Sequence, residues 1–213
     1  MFVNIHSHSA LPADCVGILN HRYSGCFEPA DGSFYSIGIH PYDVEYAGLW
    51  LNSLENYLTH IQVKAVGECG LDRFTNVSFE LQQQVFEYQI DLAEKFRKPL
   101  ILHAVRTYSD MLGIKKKQKS TVPWILHGYQ GTPETTIQLI KAGFYFSFGP
   151  TLLKTDRLDE SLKRVSPERL FFETDECGIH VSQVYSYVAS CHGIDTTELQ
   201  SIVYNNFTDL FEI

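Results

Sequence analysis

The chain has 213 residues, a formal net charge of -8 and a sequence pI near 5.5, with 44% hydrophobic and 20% charged residues. That size and balance suit one α/β domain over residues 1–213 and exclude a largely disordered chain. They also exclude a protein that holds nucleic acid through an extended basic surface.

No apolar run approaches the roughly 18 residues that a membrane helix needs, and the N-terminus lacks the basic start and apolar stretch of a secretory signal. Five cysteines without a CxxC pair give neither a disulfide framework nor a zinc ribbon. The expected setting is cytoplasmic, with free thiols, no membrane association and no protein partner. The basic run "IKKKQKS" at 114–120 reads as a solvated helix end.

Strand-like apolar runs begin with "FVNI" (2–5), "VGIL" (16–19), "FYSIGI" (34–39) and "VKAV" (63–66). They continue with "PLIL" (99–102), "VPWIL" (122–126), "FYFSF" (144–148) and "LFF" (170–172). Helical character follows each strand from the fourth onward. It is clearest after Ser78, a capping residue, where Phe79, Phe86, Ile90, Ala93 and Phe96 share one face. Further helices are expected near 46–60, 107–117, 133–142, 155–165, 180–192 and 195–211.

Strands alternating with helices imply a mainly parallel sheet, and eight strands in this length imply a TIM-type (β/α)8 barrel. Only ten residues separate the first two strands and fourteen the next two, too few for full crossover helices. The expectation is a reduced or distorted barrel, lacking helices in its first two βα units and partly open on that side.

The reactive end of a parallel barrel is the C-terminal edge of its strands. Just past the apolar runs stand His6 and His8, then His40 in "GIHPY", Glu68 in "VGECGLD", His103 in "LILHAV", His127 in "WILHGYQG" and Asp175 in "FFETDE". Residues two apart on a strand face one side, so His6 and His8 can reach one ion while Ser7 points away. Imidazoles with carboxylates suit Zn²⁺, Mn²⁺, Fe²⁺ or Co²⁺, and six such ligands exceed the needs of one tetrahedral ion. Two metals are therefore expected. In a closed barrel Asp175 groups with His6 and His8, and Glu68 with His103 and His127, with Glu68 spanning both ions. His40, framed by glycine and proline, is assigned to substrate contact or to a position behind the ligands.

Taken in order and spacing, "HSH", "GIHPY", "AVGECGLD", "LILHAV", "ILHGYQG" with "GFYFSFG", and "ETD" resemble the TatD-type metal-dependent hydrolases of the amidohydrolase superfamily, over nearly the whole chain. The resemblance implies a TIM-barrel hydrolase with a divalent metal pair and deoxyribonuclease activity. It carries the ligand roles to His6, His8, Glu68, His103, His127 and Asp175, and makes Asp175 the candidate for handling the proton of the attacking water. Three departures stand out: the span between "HSH" and "GIHPY" is short, the loop after "ETD" is reduced, and "HAVRTYSDML" replaces the usual histidine-serine-arginine, leaving Arg106 as a substitute.

The expected chemistry is hydrolysis by water activated on Zn²⁺, Mn²⁺, Mg²⁺ or Co²⁺, with Asp175 and Glu68 as catalytic carboxylates. The expected substrate is DNA or another phosphodiester, engaged at an end or single strand because no basic track is present. Tyr42, Arg73, Arg106 and Tyr129 are the expected substrate contacts beside His40. A small ester, amide or lactone would serve the same site. A metal-binding protein that has lost turnover is the reading outside enzymology.

Overall fold

A computed structural model describes residues 1–22 and 26–213. Its strands are β1 (Phe2–Ser7), β2 (Cys15–Arg22), β3 (Phe34–Gly38), β4 (Val63–Asp72), β5 (Leu100–Val105), β6 (Trp124–Leu126), β7 (Phe144–Phe148) and β8 (Leu170–Phe172), hydrogen-bonded in chain order. The helices are α1 (Ala47–Tyr57), α2 (Phe79–Phe96), α3 (Tyr108–Gln118), α4 (Pro133–Lys141), α5 (Asp159–Leu162), α6 (Ser182–His192) and α7 (Thr196–Phe211). Every expected strand forms.

Among the described residues, no helix lies between β1 and β2 or between β2 and β3. Residues 23–25 of the second span lie outside the described residues. No helix among the described residues is long and apolar enough to cross a membrane.

Two expectations need correction. The helix expected at 155–165 is a 3-10 turn, Asp156–Leu158, followed by the single turn of α5. β4 extends six residues beyond the expected "VKAV", to Asp72, so Glu68 sits inside the strand and not past it, as do His6 in β1 and His103 in β5. The extension persists because Cys69, Gly70, Leu71 and Asp72 remain paired with Leu102, His103, Ala104 and Val105 of β5.

Contacts divide the chain into two compact units, residues 1–19 with 126–213, and residues 20–125. In the first, β8 runs beside β1. Ser7 and Asp175 form a parallel bridge, the Asp175 amide donates to His6 O at 3.0 Å, and His8 N–H donates to Asp175 O at 3.3 Å. Asn4, buried in β1, donates through Nδ2 to Thr174 Oγ1 at 2.8 Å and accepts from Thr174 N–H at 3.3 Å. The buried Tyr185 hydroxyl of α6 accepts from Val3 N–H and donates to Val3 O. Around this seam Phe146, Phe148, Phe171, Phe172 and Phe207 are fully buried, each contributing roughly 1.5–3 kcal/mol of burial.

The second unit is built on parallel pairings of β3 with β4 and β4 with β5. Ser78 Oγ caps α2 by accepting from Leu81 N–H, and the helix buries Val85, Phe86, Ile90 and Ala93, with Phe86 edge-on to Trp124. Phe79 and Phe96, expected on that face, are only half-buried, while Gln82 and Gln89 are buried. The amides are accepted there because both bond to strand backbone, as described below.

Gly70 lets β4 approach β5. It has φ +140°, and a Cβ added there would lie 2.1 Å from the His103 carbonyl oxygen. We expect Gly70→Ala to lower unfolding free energy by at least about 1–3 kcal/mol through backbone strain alone, measured by urea denaturation. Unchanged stability would show that β4 and β5 can part at this point without cost.

Candidate metal centre

In the first unit, β1 delivers two imidazoles to the strand end. His6 is fully buried and His8 partly open, with ring centroids 5.2 Å apart. Asp175 Oδ1 lies 3.6 Å from His6 Nε2 and 3.3 Å from His8 Nε2. Asp175 adopts a left-handed backbone, φ +53°, a conformation that aspartate tolerates better than most residues. The imidazoles of His6 and His8 beside it hold its carboxyl well below the usual range, against the opposing effect of burial.

His127 stands at the end of β6. Its ring stacks on His6 at 4.3 Å, so this residue, expected in the other group, has His6 as a neighbour. Its Nδ1 is 3.4 Å from Glu173 Oε1, which also accepts from Gly128 N–H at 2.7 Å. Glu173 is almost completely buried, and its Oε2 has no hydrogen-bond partner among the described residues.

In the second unit, Glu68 Oε1 lies 2.7 Å from His103 Nδ1 and 3.4 Å from His40 Nε2. One ligating atom from each of these three residues falls within 4.8 Å of the others. Asn20 fixes the carboxylate from behind, accepting from Glu68 N–H at 3.0 Å and donating to Oε2 at 3.3 Å. The other nitrogen of His103, Nε2, is 2.8 Å from Asp72 Oδ2. Burial works to raise the Asp72 carboxyl, but hydrogen bonds from His103 and Phe74 N–H leave it lowered.

His40 is buried, which lowers its imidazole pKa despite the nearby Glu68. Its Nδ1 accepts from Tyr42 N–H at 3.2 Å, so the neutral ring carries its proton on Nε2, toward Glu68. That proton makes it a donor behind the carboxylate.

Two amides of α2 hold these strand ends. Gln89 accepts from Ile39 N–H at 2.7 Å and donates to Ile39 O at 3.1 Å, one residue before His40. Gln82 accepts from Asp72 N–H at 2.8 Å and donates to Asp72 O at 3.1 Å. Seven residues apart, they lie on one helix face.

Of the expected substrate contacts, Tyr42 is 45% exposed and donates its hydroxyl to Asp72 Oδ2. Arg73 Nη2 donates to both carboxylate oxygens of Asp110, and the Arg106 guanidinium lies over the exposed Phe74 ring at 4.2 Å. Tyr129 is corrected: it is 1% exposed, packs against Phe146 and Phe148, and bonds Thr136 Oγ1. Its place past a strand end resembled a site position, but the ring is core. Asn20, Asp72, Glu173, Gln82 and Gln89 escaped the sequence reading. Asp72 and Glu173 lie inside "GLD" and "ETD" and were accessible signals. The other three carry nothing in sequence that marks them.

Convergent imidazoles and carboxylates form a donor set suited to divalent first-row ions. The buried Glu173 oxygen without a partner and the carboxylates flanking His103 fit such ions electrostatically. Histidines and acids gathered at the ends of parallel strands define a metal-dependent hydrolase.

Residues 22–212 match the model of the TatD related DNase family, and the chain belongs to that family. It is 29% identical over 206 residues to the uncharacterized metal-dependent hydrolase YcfH of Escherichia coli strain K12, covering 86% of this chain and 75% of that protein. The human deoxyribonuclease TATDN3 is 26% identical, with 91% of this chain and 77% of TATDN3 covered. The crystal structure of YJJV, a TatD homologue from Escherichia coli K12, superposes with a TM-score of 0.89 at 21% identity, covering 100% of this chain and 98% of that one. The fold is thus the TIM barrel of these hydrolases.

Gln89→Leu strands the amide and carbonyl of Ile39 in the interior. We expect a loss of about 1–3 kcal/mol in stability, read by chemical denaturation, together with weaker metal binding in a calorimetric titration. Wild-type values for both would remove Gln89 from any role in positioning His40.

Proposed function

We propose that this chain is a metal-dependent phosphodiesterase acting on DNA, with two divalent ions held by His6, His8, Glu68, His103, His127 and Asp175. The observation that carries this reading is the gathering of imidazoles on a carboxylate in each unit: His6 and His8 about Asp175, and His40 and His103 about Glu68. The deoxyribonuclease name of TATDN3 supports DNA as the substrate. When bound, such ions lower the pKa of water toward neutrality and polarise phosphoryl oxygens.

The chain's own groups have distinct tasks. Asp175, with His6 and His8 beside it at the end of β1, is placed to accept the proton lost by the attacking water. Glu68, locked by Asn20, keeps its carboxylate oriented without reorganisation. His40 holds its Nε2 proton toward Glu68 and steadies that carboxylate from behind. Arg106 and Tyr42 contact the substrate, and Arg73 does so after exchanging its pairing with Asp110. Phe74, exposed beneath Arg106, offers a face to a base. With a net charge of -8, the protein engages a strand end or single strand and not a long duplex.

The test is a panel of single-stranded and duplex DNA, RNA, nucleotide esters and acyl substrates, assayed after loading with Mn²⁺, Mg²⁺, Zn²⁺ or Co²⁺. Cleavage of DNA is expected. Both His6→Ala and Glu68→Ala should reduce metal content and turnover by more than the about 10–100-fold typical of residues behind the ligands. Full activity in either variant refutes the assignment. Stoichiometric metal with no turnover on any substrate supports a binding protein instead.

A further inference from the structure

A third group of ligating atoms stands in the first unit, apart from the residues above. Cys15 opens β2 with Asp14 just before it, and His180 lies two residues before α6. His180 Nε2 is 3.1 Å from Asp14 Oδ1 and 3.6 Å from Cys15 Sγ, and the sulfur is 3.8 Å from the same Asp14 oxygen.

A tetrahedral zinc ion, with bonds near 2.0–2.1 Å to nitrogen and oxygen and 2.3 Å to sulfur, spaces its ligand atoms about 3.3 Å for nitrogen to oxygen and about 3.6 Å for sulfur to either. All three observed edges agree to within about 0.3 Å. We infer that Asp14, Cys15 and His180 form a separate zinc site, with its fourth position open to water.

The ring of His180 is held for this task. Phe2 packs edge-on against it at 5.6 Å, and Ser182 faces Nδ1 with its hydroxyl at 2.7 Å and its amide at 3.3 Å. Without an ion, Nε2–H donates to Asp14. With one, the nearer Ser182 hydroxyl oxygen accepts Nδ1–H and Nε2 turns its lone pair to the metal.

A cysteine beside a histidine also raises the question of a nucleophile. Burial, with the Asp14 carboxylate adding to it, pushes the Cys15 thiol up to about 11, so at neutral pH it is protonated and a poor nucleophile. Zinc displaces the proton of a coordinating thiol to solvent, so the same residue serves a metal where it does not serve acyl transfer.

The position gives the site a structural purpose. The span from β1 to β2 has no helix, and an ion would fasten its far end to the segment entering α6. Cys15 also lines a cavity of about 170 Å³ shared with Ser7, Thr174 and Asp175. Zinc at Cys15 therefore braces one wall of the space beside Asp175.

Cobalt titration of the full chain tests the site independently of the hydrolytic reading, because none of the ligands proposed above is a thiolate. One equivalent of a thiolate-to-cobalt charge-transfer absorption is expected in the near ultraviolet. It should persist in His6→Ala and Cys177→Ser and vanish in Cys15→Ser and His180→Ala, with circular dichroism confirming that each variant folds. Elemental analysis should find one zinc fewer per chain in Cys15→Ser than in wild type. A missing absorption, its survival in Cys15→Ser, or equal zinc in both proteins overturns the proposal; a Cys15→Ser variant that does not fold leaves His180→Ala to decide by the same absorption.

Discussion

Burying a carboxylate is tolerated only where hydrogen bonds or opposite charge replace its water. Glu68, Asp72 and Glu173 are each less than 10% exposed. Much of the surrounding structure follows from satisfying them. Asn20 and His103 meet Glu68, while His103, Tyr42 and the Phe74 amide meet Asp72. His127 and the Gly128 amide meet Glu173. Each partner thereby loses freedom before any ligand arrives, which is the condition for a site that does not reorganise.

The backbone beneath these side chains is held by neutral groups, which do not disturb the charge balance. Gln82 and Gln89 each present both an acceptor and a donor to the N–H and C=O of one residue, acting on α2 as a short piece of strand edge. In the first unit Tyr185 does the same for Val3, and Asn4 meets the amide and the side-chain hydroxyl of Thr174. Such pairs matter at Ile39, Asp72 and Thr174, which lie at or just past the ends of β3, β4 and β8, where ladder bonds run out. A buried side-chain amide completes what a strand end leaves unsatisfied.

The cations near the second unit's strand ends are also engaged. Arg22 pairs with Asp43, Arg73 with Asp110, and Arg106 lies over a ring face. On a protein of net charge -8, a phosphate has to compete with carboxylates for Arg22 and Arg73. The ring contact of Arg106 occupies no N–H donor of the guanidinium, so this arginine can meet an anion without giving up its stacking.

The sequence by itself determined the eight strands and marked His6, His8, Glu68, His103, His127 and Asp175 as candidate ligands. Apolar runs and the polar residues that interrupt or follow them are local properties, readable from periodicity and spacing. It equally determined that the first two connections are too short for crossover helices. Tertiary structure alone decided which acids and amides are buried and what they bond. Gln89 reads as the polar side of a helix until Ile39 is seen beneath it, and Tyr129 reads as a site residue until Phe146 and Phe148 close around it. Likewise His180 lies 165 residues from Cys15 in the chain, and the two become a ligand set with Asp14 only in the folded unit. Burial and hydrogen-bond partnership arise from contacts distant in sequence, and no local pattern encodes them.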